Sequence, residues 1–542
     1  MLDERYPHLA FLLTLEKEDL QEWREALDLK DVEVLYIYGI DSARTYPFFQ
    51  DWLHESPERD LVYLEDDLEE IRKVEGHEFL KDPQVHLFFL RVASLREIAR
   101  CFPVKHVEVI STPSYAKIKA SRFRKINLEL KRNSVLENAF LLEELFSHLL
   151  FRNFLPNFQL LSKAFFGNKL KSAFQGIPAI VCGAGPSLSS SIPALKTVEN
   201  RALILSGGSS IAALSSQGIL PHLTFAIDPN EEEGERLRAA SAFQVPLLYA
   251  HRVRHSIFRM VNGPLGYVRT LCANMAELWL EEKLSLTTTP MGMGLGEEAL
   301  SVTTLCIAYA EYLGCNPIIL TGIDLAYTDL QSYASGVILD SSVSLKKKKE
   351  DKRAAEQLLR CKGKDRKTIF TAIKWKMEAE SIARFIKQHK ETQFFDATKG
   401  GIEIPSLTYQ PLEKVIGEQC QKMYDLRGIL HTEIEENRLN ISKESIESAL
   451  HEFKASLLRS RTIVEEILEE LKSCTEESGK VILLQSDLQE EIAYLLLFKG
   501  VLARLSHTLD RRSDISFQER ERLKWKEIHA RLDQCLHFAY LV

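Results

Sequence analysis

A glycine-rich segment after an apolar run carries the residue types expected of a phosphate-binding loop. It contains Gly183, Ala184, Gly185 and Ser187 and directly follows the run Pro178–Cys182. Glycine lets backbone amides approach a ligand closely, and a serine hydroxyl adds a further donor. A helix that starts just after such a loop directs more amides at an anion. The sequence therefore predicts a phosphate-binding turn between a buried strand and a helix.

The same order of apolar run, glycine turn and helix recurs further along the chain. A turn with two glycines and a serine follows the run Ala202–Ser206, and alternating glycines precede a helix predicted over residues 297–313. Another glycine follows the run Pro317–Thr321. Such turns favour backbone contact with a nucleotide, although tight strand-to-helix turns also use glycine for packing alone. The further candidate nucleotide-binding residues are Gly207, Gly208, Ser209, Gly294, Gly296 and Gly322.

Acidic side chains stand directly after two of these apolar runs. Asp228 ends the run Leu223–Ile227, and Asp324 and Asp329 come shortly after the run Pro317–Thr321. In open α/β sheets, ligands bind outside the carboxyl ends of the strands. Carboxylates at that edge can bind a divalent metal, orient a sugar or act as a general base, and the spacing alone does not choose among these roles. Asp228, Asp324 and Asp329 are candidate metal ligands, and the first two are also candidate catalytic residues.

Composition places the chain among ordinary globular proteins. It has 542 residues, of which 45% are apolar and 27% charged, and a net charge of −8; this length suits two or three domains. Without an overall cationic field, general nucleic-acid binding is not expected. Nine cysteines without CxxC spacing favour neither a zinc site nor a disulfide framework. No apolar stretch is long enough to span a bilayer, so we expect a cytoplasmic protein.

The order of strand-like and helical patterns predicts an α/β protein with four segments. Residues 1–114 alternate strand-like runs with glycine and acidic turns, an outline typical of a Rossmann-like domain. Residues 115–171 are helical and basic and form a predicted linker. Residues 172–410 carry the glycine turns on a mainly parallel sheet. Residues 411–542 are rich in Glu, Lys and Leu at helical spacing and predict an all-α C-terminal domain.

Three polar segments each allow two interpretations. Glu65 ends a strand-like run and is placed to hold a ribose, but it stands among other acids. The turn after the first strand-like run of that domain also has a single glycine, Gly39. We favour a structural or docking role for that domain over a cofactor site. The basic group His251–His255 either anchors an anionic substrate or lines a solvated loop. The run Lys346–Lys349 either closes as a cationic flap over a nucleotide or is merely solvated.

Five motifs together resemble one known family. They lie mostly in the predicted central domain, and each contains glycine or aspartate at a predicted strand end. The motifs are GAGPSL at 183–188, SGGSSIAAL at 206–214, AIDPN at 226–230, GCNPIILTGIDLAYTD at 314–329 and DATKGG at 396–401. This combination resembles the Maf (motility accessory factor) proteins, whose central domain is shared with the MptE-like 6-hydroxymethylpterin diphosphokinases. The flanks VLYIYG at 34–39 and LVYLEDD at 61–67 also resemble the Maf architecture.

The resemblance to Maf proteins implies a sialyltransferase-like central domain and a transferase activity. Maf proteins are associated with attaching nonulosonic acids, of pseudaminic or legionaminic type, from CMP-activated donors to flagellin Ser/Thr hydroxyls. The implied substrate is a CMP-type nucleotide sugar, with no certain cofactor, and the implied acceptor is flagellin or another surface protein. By the same resemblance, Asp228 and Asp324 match the acidic positions of the family, and Gly400 and Gly401 match its second glycine pair.

The resemblance leaves two alternatives to a glycosyltransferase. The MptE branch implies diphosphate transfer from ATP to a pterin alcohol, with magnesium. The chain also departs from Maf proteins, because Tyr333 stands where the family usually has histidine in a Ser-His-Ala sequence. A tyrosine with a pKa near ~10 is a poor base at neutral pH, although its phenol can still orient a donor phosphate. Tyr333 is therefore a third candidate catalytic residue, and a catalytically silent binding or assembly protein is the remaining alternative.

Overall fold

The computed structural model describes most of the chain and groups it into two compact units. The first unit contains the described residues up to Leu142, with Ser344–Arg360 and Ala372–Lys374; the second contains Glu143–Val343, Cys361–Thr371 and Trp375–Val542. The predicted division into three domains and a linker stays a prediction. The described ranges are 20–25, 27–41, 44–102, 106–238, 244–271, 273–295, 301–350, 357–473, 478–510 and 515–541.

The first unit is built on a parallel sheet of four strands in the order β3-β2-β1-β4. These strands are β1 Val34–Tyr38, β2 Asp60–Glu65, β3 Val85–Phe89 and β4 Val107–Ser111. Every residue of β1 is buried, as expected of a central parallel strand that is covered on both faces. The chain moves outward from β1 to β3 and then returns to the other side of β1, so the strand order reverses between β1 and β4.

The second unit is built on a parallel sheet of eight strands in the order β14-β11-β6-β7-β8-β9-β10-β5. All seven neighbouring pairs run parallel, so every strand ends at the same edge of the sheet. The strand order reverses between β6 and β11. The strands, with the separate two-stranded sheet β12-β13, are β5 Phe165–Phe166, β6 Ala179–Cys182, β7 Leu203–Gly207, β8 Leu223–Ala226, β9 Leu247–Tyr249, β10 Leu265–Tyr267, β11 Ile318–Thr321, β12 Leu358–Lys362, β13 Thr368–Ala372 and β14 Phe394–Asp396.

Helices cover both sheets and dominate the last part of the chain. From residue 412 onward the described regular elements are all helices, which confirms the expected α/β fold with a helical C-terminal region. The described α-helices are Leu20–Glu25, Gln50–His54, Leu68–Val74, Leu95–Cys101, Pro113–Ile118, Ala120–Phe146, Phe151–Gln159, Leu188–Leu195, Ser209–Ser215, Glu231–Arg238, Met275–Lys283, Val302–Tyr312, Leu345–Glu350, Ile373–Gln388, Leu412–Gln419, Leu426–Glu436, Lys443–Glu470, Gly479–Leu488, Ile492–Leu497, Lys499–Asp510 and Phe517–Tyr540.

The C-terminal helices of the second unit share one apolar core with its eight-stranded sheet. Phe453 stacks on Phe151 with ring centroids 5.7 Å apart, and both belong to a buried cluster that also contains Tyr249 of β9 and Trp525. Full burial of a side chain such as Phe453 contributes roughly 1.5–3 kcal/mol. The helical region is therefore part of the body that supports the sheet edge. Within the described ranges, no helix has the length and apolar character that crossing a bilayer requires.

Candidate functional site

The reversal of strand order between β6 and β11 brings two glycine-rich loops together. The amide of Gly183 donates to the carbonyl of Thr321 at 2.8 Å, and the amide of Gly185 donates to the carbonyl of Gly322 at 2.8 Å. In doubly wound sheets, the crevice outside such a switch point is where ligands bind. The structure thus places the predicted residues 183–187 and 322–324 side by side at this edge.

Glycine is required here because the two loops approach too closely for a side chain. A Cβ on Gly183 would lie 2.4 Å from the carbonyl oxygen of Gly322, and one on Gly185 would lie 2.2 Å from Oδ1 of Asp324. Gly322 also has a φ of +66°, in the left-handed region that favours glycine. The GAG and TGID motifs therefore have a structural reason that comes from their contact with one another.

Asp324 is the buried acid of this crevice. Only 2% of its surface is exposed. Its Oδ1 accepts a hydrogen bond from the Ser187 hydroxyl at 2.5 Å, and its Oδ2 accepts from the Thr328 hydroxyl at 2.5 Å and from the Ser187 amide at 3.2 Å. Burial raises the pKa of Asp324, while these hydrogen bonds and the charge of Lys364 act to lower it. The carboxylate is held by the amide of Ser187, the residue that precedes helix Leu188–Leu195, at the helix end that favours an anion.

The turn after β14 closes on Asp324 from the other side. A Cβ on Gly401 would lie 1.9 Å from the Asp324 carbonyl oxygen, and one on Gly400 would lie 2.8 Å from Oδ2 of Asp324. Gly401 has a φ of +80°, and the amide of Ile402 donates to the Asp324 carbonyl at 3.0 Å. The second glycine pair of the resemblance therefore joins the same crevice.

Lys364 is a residue of this edge that the sequence did not single out. It lies in the turn between β12 and β13, and its side chain is only 6% exposed. Its Nζ forms an ion pair with Oδ2 of Asp396 at 2.6 Å and donates to the carbonyl of Thr398 at 3.1 Å. The sequence signal that could have found it is the Gly363-Lys364-Asp365 turn between two strand-like runs.

Tyr333 belongs to a segment that contacts the first glycine loop. The amide of Ala334 donates to the carbonyl of Ala184 at 2.9 Å. The partly buried Tyr333 packs against the cluster that contains Cys182 and Leu188. Asp329, between Asp324 and this segment, is exposed and has a φ of +51°. The structure therefore brings Tyr333 close to the predicted loop, whereas the Asp329 residue faces solvent.

Gly207 is the last residue of β7, the strand next to β6, and Gly208 and Ser209 follow it. A Cβ on Gly207 would lie 1.9 Å from Cγ1 of Val302, so helix Val302–Tyr312 requires glycine there. The amide of Gly208 donates to the carbonyl of Phe225 at 3.0 Å, and Ser209 is buried. This turn lies one strand away from the switch point, and its predicted contact with a nucleotide stays a prediction.

Asp228 follows β8 and is separated from Asp324 by the width of three strand spacings. At ~4.8 Å per strand, this amounts to some 14 Å, far more than a shared metal ion spans. Within the described ranges, no group of three or more His, Cys, Asp or Glu side chains is arranged to hold a metal ion. Asp228 and Asp324 thus lie along one edge but in different parts of it.

Gly294 does not join the other predicted residues. A Cβ on Gly294 would lie 2.7 Å from Oε1 of Gln388, in the last turn of helix Ile373–Gln388. That helix leads into the amino end of β14, opposite the edge where Asp324 lies. Gly296 lies outside the described residues.

The basic group after β9 is largely engaged within the protein. His251 is buried and its ring stacks on Phe158 with centroids 3.6 Å apart; burial lowers its pKa well below the ordinary value. Arg252 pairs with Glu143 at 3.0 Å. These residues support the sheet edge through packing and ion pairing. The other basic run, Lys346–Lys349, lies in helix Leu345–Glu350 of the first unit.

Comparison with known proteins identifies the domain that carries this crevice. Residues 152–330 match the family model described as 6-hydroxymethylpterin diphosphokinase MptE-like. No curated protein matches the chain in sequence. Among solved structures, the chain is similar to the Maf glycosyltransferase from Magnetospirillum magneticum AMB-1, with 14% identity and a TM-score of 0.50 over 94% of this chain and 78% of that one.

The family match covers most of the predicted site residues but ends before the turn that carries Lys364. It spans strands β5 to β11 and includes Ser187, Asp228 and Asp324, whereas Lys364 and Asp396 lie beyond its end. Residues 152–330 are thus similar to MptE-like domains, within a chain whose fold is similar to that of a Maf glycosyltransferase.

Proposed function

We propose that the protein is a Maf-like glycosyltransferase that moves a nonulosonic acid from a CMP-activated donor to Ser/Thr hydroxyls of a protein. The observation that carries this proposal is the extent of the Maf-like fold, which includes the regions on both sides of the MptE-like domain. A transferase that acts on a protein acceptor has use for such additional regions. The switch-point crevice around Asp324 supplies the place for the donor.

The chemistry assigned to the crevice is displacement at the anomeric carbon of the donor. The acceptor hydroxyl oxygen forms a bond to this carbon, the bond from the carbon to the CMP phosphate oxygen breaks, and the hydroxyl proton passes to a base. Asp324 is the proposed base, because burial raises its pKa and thereby its affinity for a proton. Tyr333 is proposed to orient the donor phosphate, and Asp228 to contact the donor or acceptor further along the edge.

Ligand-induced stabilisation of the full chain tests this proposal. A ligand that binds only the folded state stabilises it by about 2.7 kcal/mol at a hundred times its Kd. We expect CMP and CDP to raise the melting temperature without added metal, and ATP with Mg²⁺ to leave it unchanged. Cytidine serves as the control for the phosphate. Stabilisation by ATP with Mg²⁺ and none by CMP would contradict the glycosyltransferase.

A diphosphokinase is the second candidate, because the description of the matching family names that activity. It would transfer diphosphate from ATP to a pterin alcohol and release AMP. It predicts stabilisation by ATP only when Mg²⁺ is present. Incubation with ATP, Mg²⁺ and 6-hydroxymethylpterin, followed by detection of AMP, distinguishes the two activities directly.

A catalytically silent protein of the same fold is the third candidate. It is favoured by the amides of the first glycine loop, since those of Gly183, Gly185 and Ser187 already donate to acceptors within the chain. It predicts that none of these nucleotides changes the melting temperature.

A further inference from the structure

The turn that carries Lys364 ties three parts of the crevice together. The backbone amide of Lys364 donates to the Gly401 carbonyl at 3.1 Å, and the Lys364 Nζ contacts Asp396 and Thr398. Gly401 in turn lies against the backbone of Asp324. The charge of Lys364 also acts to lower the pKa of Asp324.

Burial of the ion pair between Lys364 and Asp396 has a cost in hydration free energy that folding stability alone does not explain. The two side chains are 6% and 1% exposed, so both charges have lost most of their hydration. Replacement of such a buried pair by apolar residues of similar size is often neutral or stabilising. A charged pair kept at the edge where ligands bind therefore indicates a role for the charge.

The charge balance of the crevice explains what this role would be. Asp324 and Asp396 are both buried at the ends of neighbouring strands, and an anionic ligand beside them meets their negative charge. Lysine acts as a point charge for phosphate and has three N–H donors. Among the described residues, the Lys364 ammonium donates a hydrogen bond to the Thr398 carbonyl and forms an ion pair with Asp396. An ammonium with three N–H donors can serve these two partners and also donate to a ligand.

We propose that Lys364 is the cationic contact for the phosphate of the bound nucleotide, held in place by Asp396 and Thr398. The inference rests on the proposed function, since it assigns the nucleotide of that same crevice. On one side of Asp324 the phosphate meets the Ser187 turn, and on the other it meets Lys364. The hairpin β12-β13 thus adds to the MptE-like domain a charge from outside its matched residues.

Calorimetric titration of the full chain with CMP and with cytidine, in buffer with EDTA, tests this role. We expect K364M to weaken CMP binding by about tenfold or more, as for the loss of one charge-assisted hydrogen bond, and to leave cytidine binding unchanged. K364R should keep most of the CMP affinity. K367M is the matched control, because Lys367 lies on the same hairpin but is 86% exposed and pairs with Asp365.

The double variant K364M/D396N guards against misfolding, because it removes both charges of the buried pair together. If this variant is folded and binds CMP as tightly as the wild type, the proposal is wrong. An equal loss of CMP and cytidine affinity in K364M would also overturn it, since that pattern indicates a structural role alone. Failure of the wild type to bind CMP at all would overturn the proposed function, and the role of Lys364 with it. Normal CMP binding in K364M would overturn only the role of Lys364.

Discussion

Each parallel sheet of the molecule brings a buried carboxylate to the loops at its reversal of strand order, and only one of these two places has the features of a site. In the first unit, Glu65 ends β2, one strand away from the reversal between β1 and β4, and its side chain reaches Ile40 after β1 and Tyr115 after β4. None of its surface is exposed. In the second unit, Asp324 follows β11 beside the reversal between β11 and β6. Both acids adjoin glycines whose neighbours leave no room for a side chain.

The difference lies in what surrounds each acid. Glu65 accepts hydrogen bonds from the amides of Ile40, Asp66 and Asp67 and from the hydroxyl of Tyr115. The ring of Tyr115 also fills the space over Gly39, where a Cβ would lie 2.7 Å from it. The first crevice is therefore filled by side chains of its own chain.

Asp324 has a different set of donors. Two of its three hydrogen bonds come from the hydroxyls of Ser187 and Thr328, which can rotate towards a ligand. Ala184, Gly185 and Ser187 of the adjoining loop are partly exposed. A reversal of strand order is thus filled by the chain itself in one sheet and leaves a partly exposed polar crevice in the other, so function must be argued from the residues at the crevice.

Removal of the carboxylates of Asp324 and Glu65 is expected to have the largest effects and to distinguish the two crevices most clearly. D324N should lower transfer from a CMP-activated nonulosonic acid at least about hundredfold, as for the loss of a general base. E65Q should leave transfer within about twofold while lowering stability. The release of CMP measures transfer, and thermal unfolding measures stability. If E65Q abolished transfer at unchanged stability, the distinction between the two crevices would be wrong.

Substitution of the glycines separates packing from ligand contact. G39A should destabilise the chain by about 2–4 kcal/mol, because φ is +93° and the new Cβ would clash with Thr112 and Tyr115. CMP affinity should not change. G185A should displace the Asp324 side chain and weaken CMP binding by about tenfold. Its loss of stability should be smaller than that of G39A. Denaturant unfolding and CMP titration of both variants provide the measurement, and equal effects on both properties would contradict the comparison.

Local pattern predicted much of the sheet but not the way in which its edge is completed. The runs Pro178–Cys182 and Leu223–Ile227 match β6 and β8 closely because buried parallel strands are continuous apolar runs. The expectation that acids after strands share one edge also follows from the parallel order. Lys364 escaped detection because β12 and β13 are half-exposed and polar, and because no local pattern shows that their turn reaches Asp396.

Glycine patterns in the sequence did not distinguish a ligand-binding turn from a turn that needs glycine for packing. The segment around Gly294 has the composition of a ligand-binding turn, yet its described part lies against Gln388. Position 207 is glycine because Val302 occupies the space that a side chain would need. A glycine at a strand end therefore predicts close approach, but the partner of that approach is decided by contacts distant in sequence.

The two tyrosines beside the crevices should respond differently to loss of the hydroxyl. Y115F leaves the buried Glu65 without one of its donors and should cost about 1–3 kcal/mol of stability. Y333F should cost less, because Tyr333 is only partly buried, and should act mainly on the donor KM. Thermal unfolding and initial rates at varied donor concentration measure the two effects. A larger loss of stability in Y333F than in Y115F would contradict the structural role of Tyr115 and the ligand-binding role of Tyr333.

The smallest expected effect is a change in the pH dependence of stability at the open crevice. Burial raises the pKa of Asp324, so the folded chain keeps this proton to a higher pH than the unfolded chain does. The stability that this group contributes is fully present below the ordinary aspartate range, near ~3.9, and is lost as pH rises through the raised pKa. D324N has no such group, so its free energy of unfolding should gain on that of the wild type as the pH rises from acid to neutral. Urea unfolding across this range provides the measurement, and D329N, at an exposed position in the same loop, controls for the change in net charge. A difference between wild type and D324N that stays constant with pH would show that the Asp324 carboxylate carries the same charge in both states.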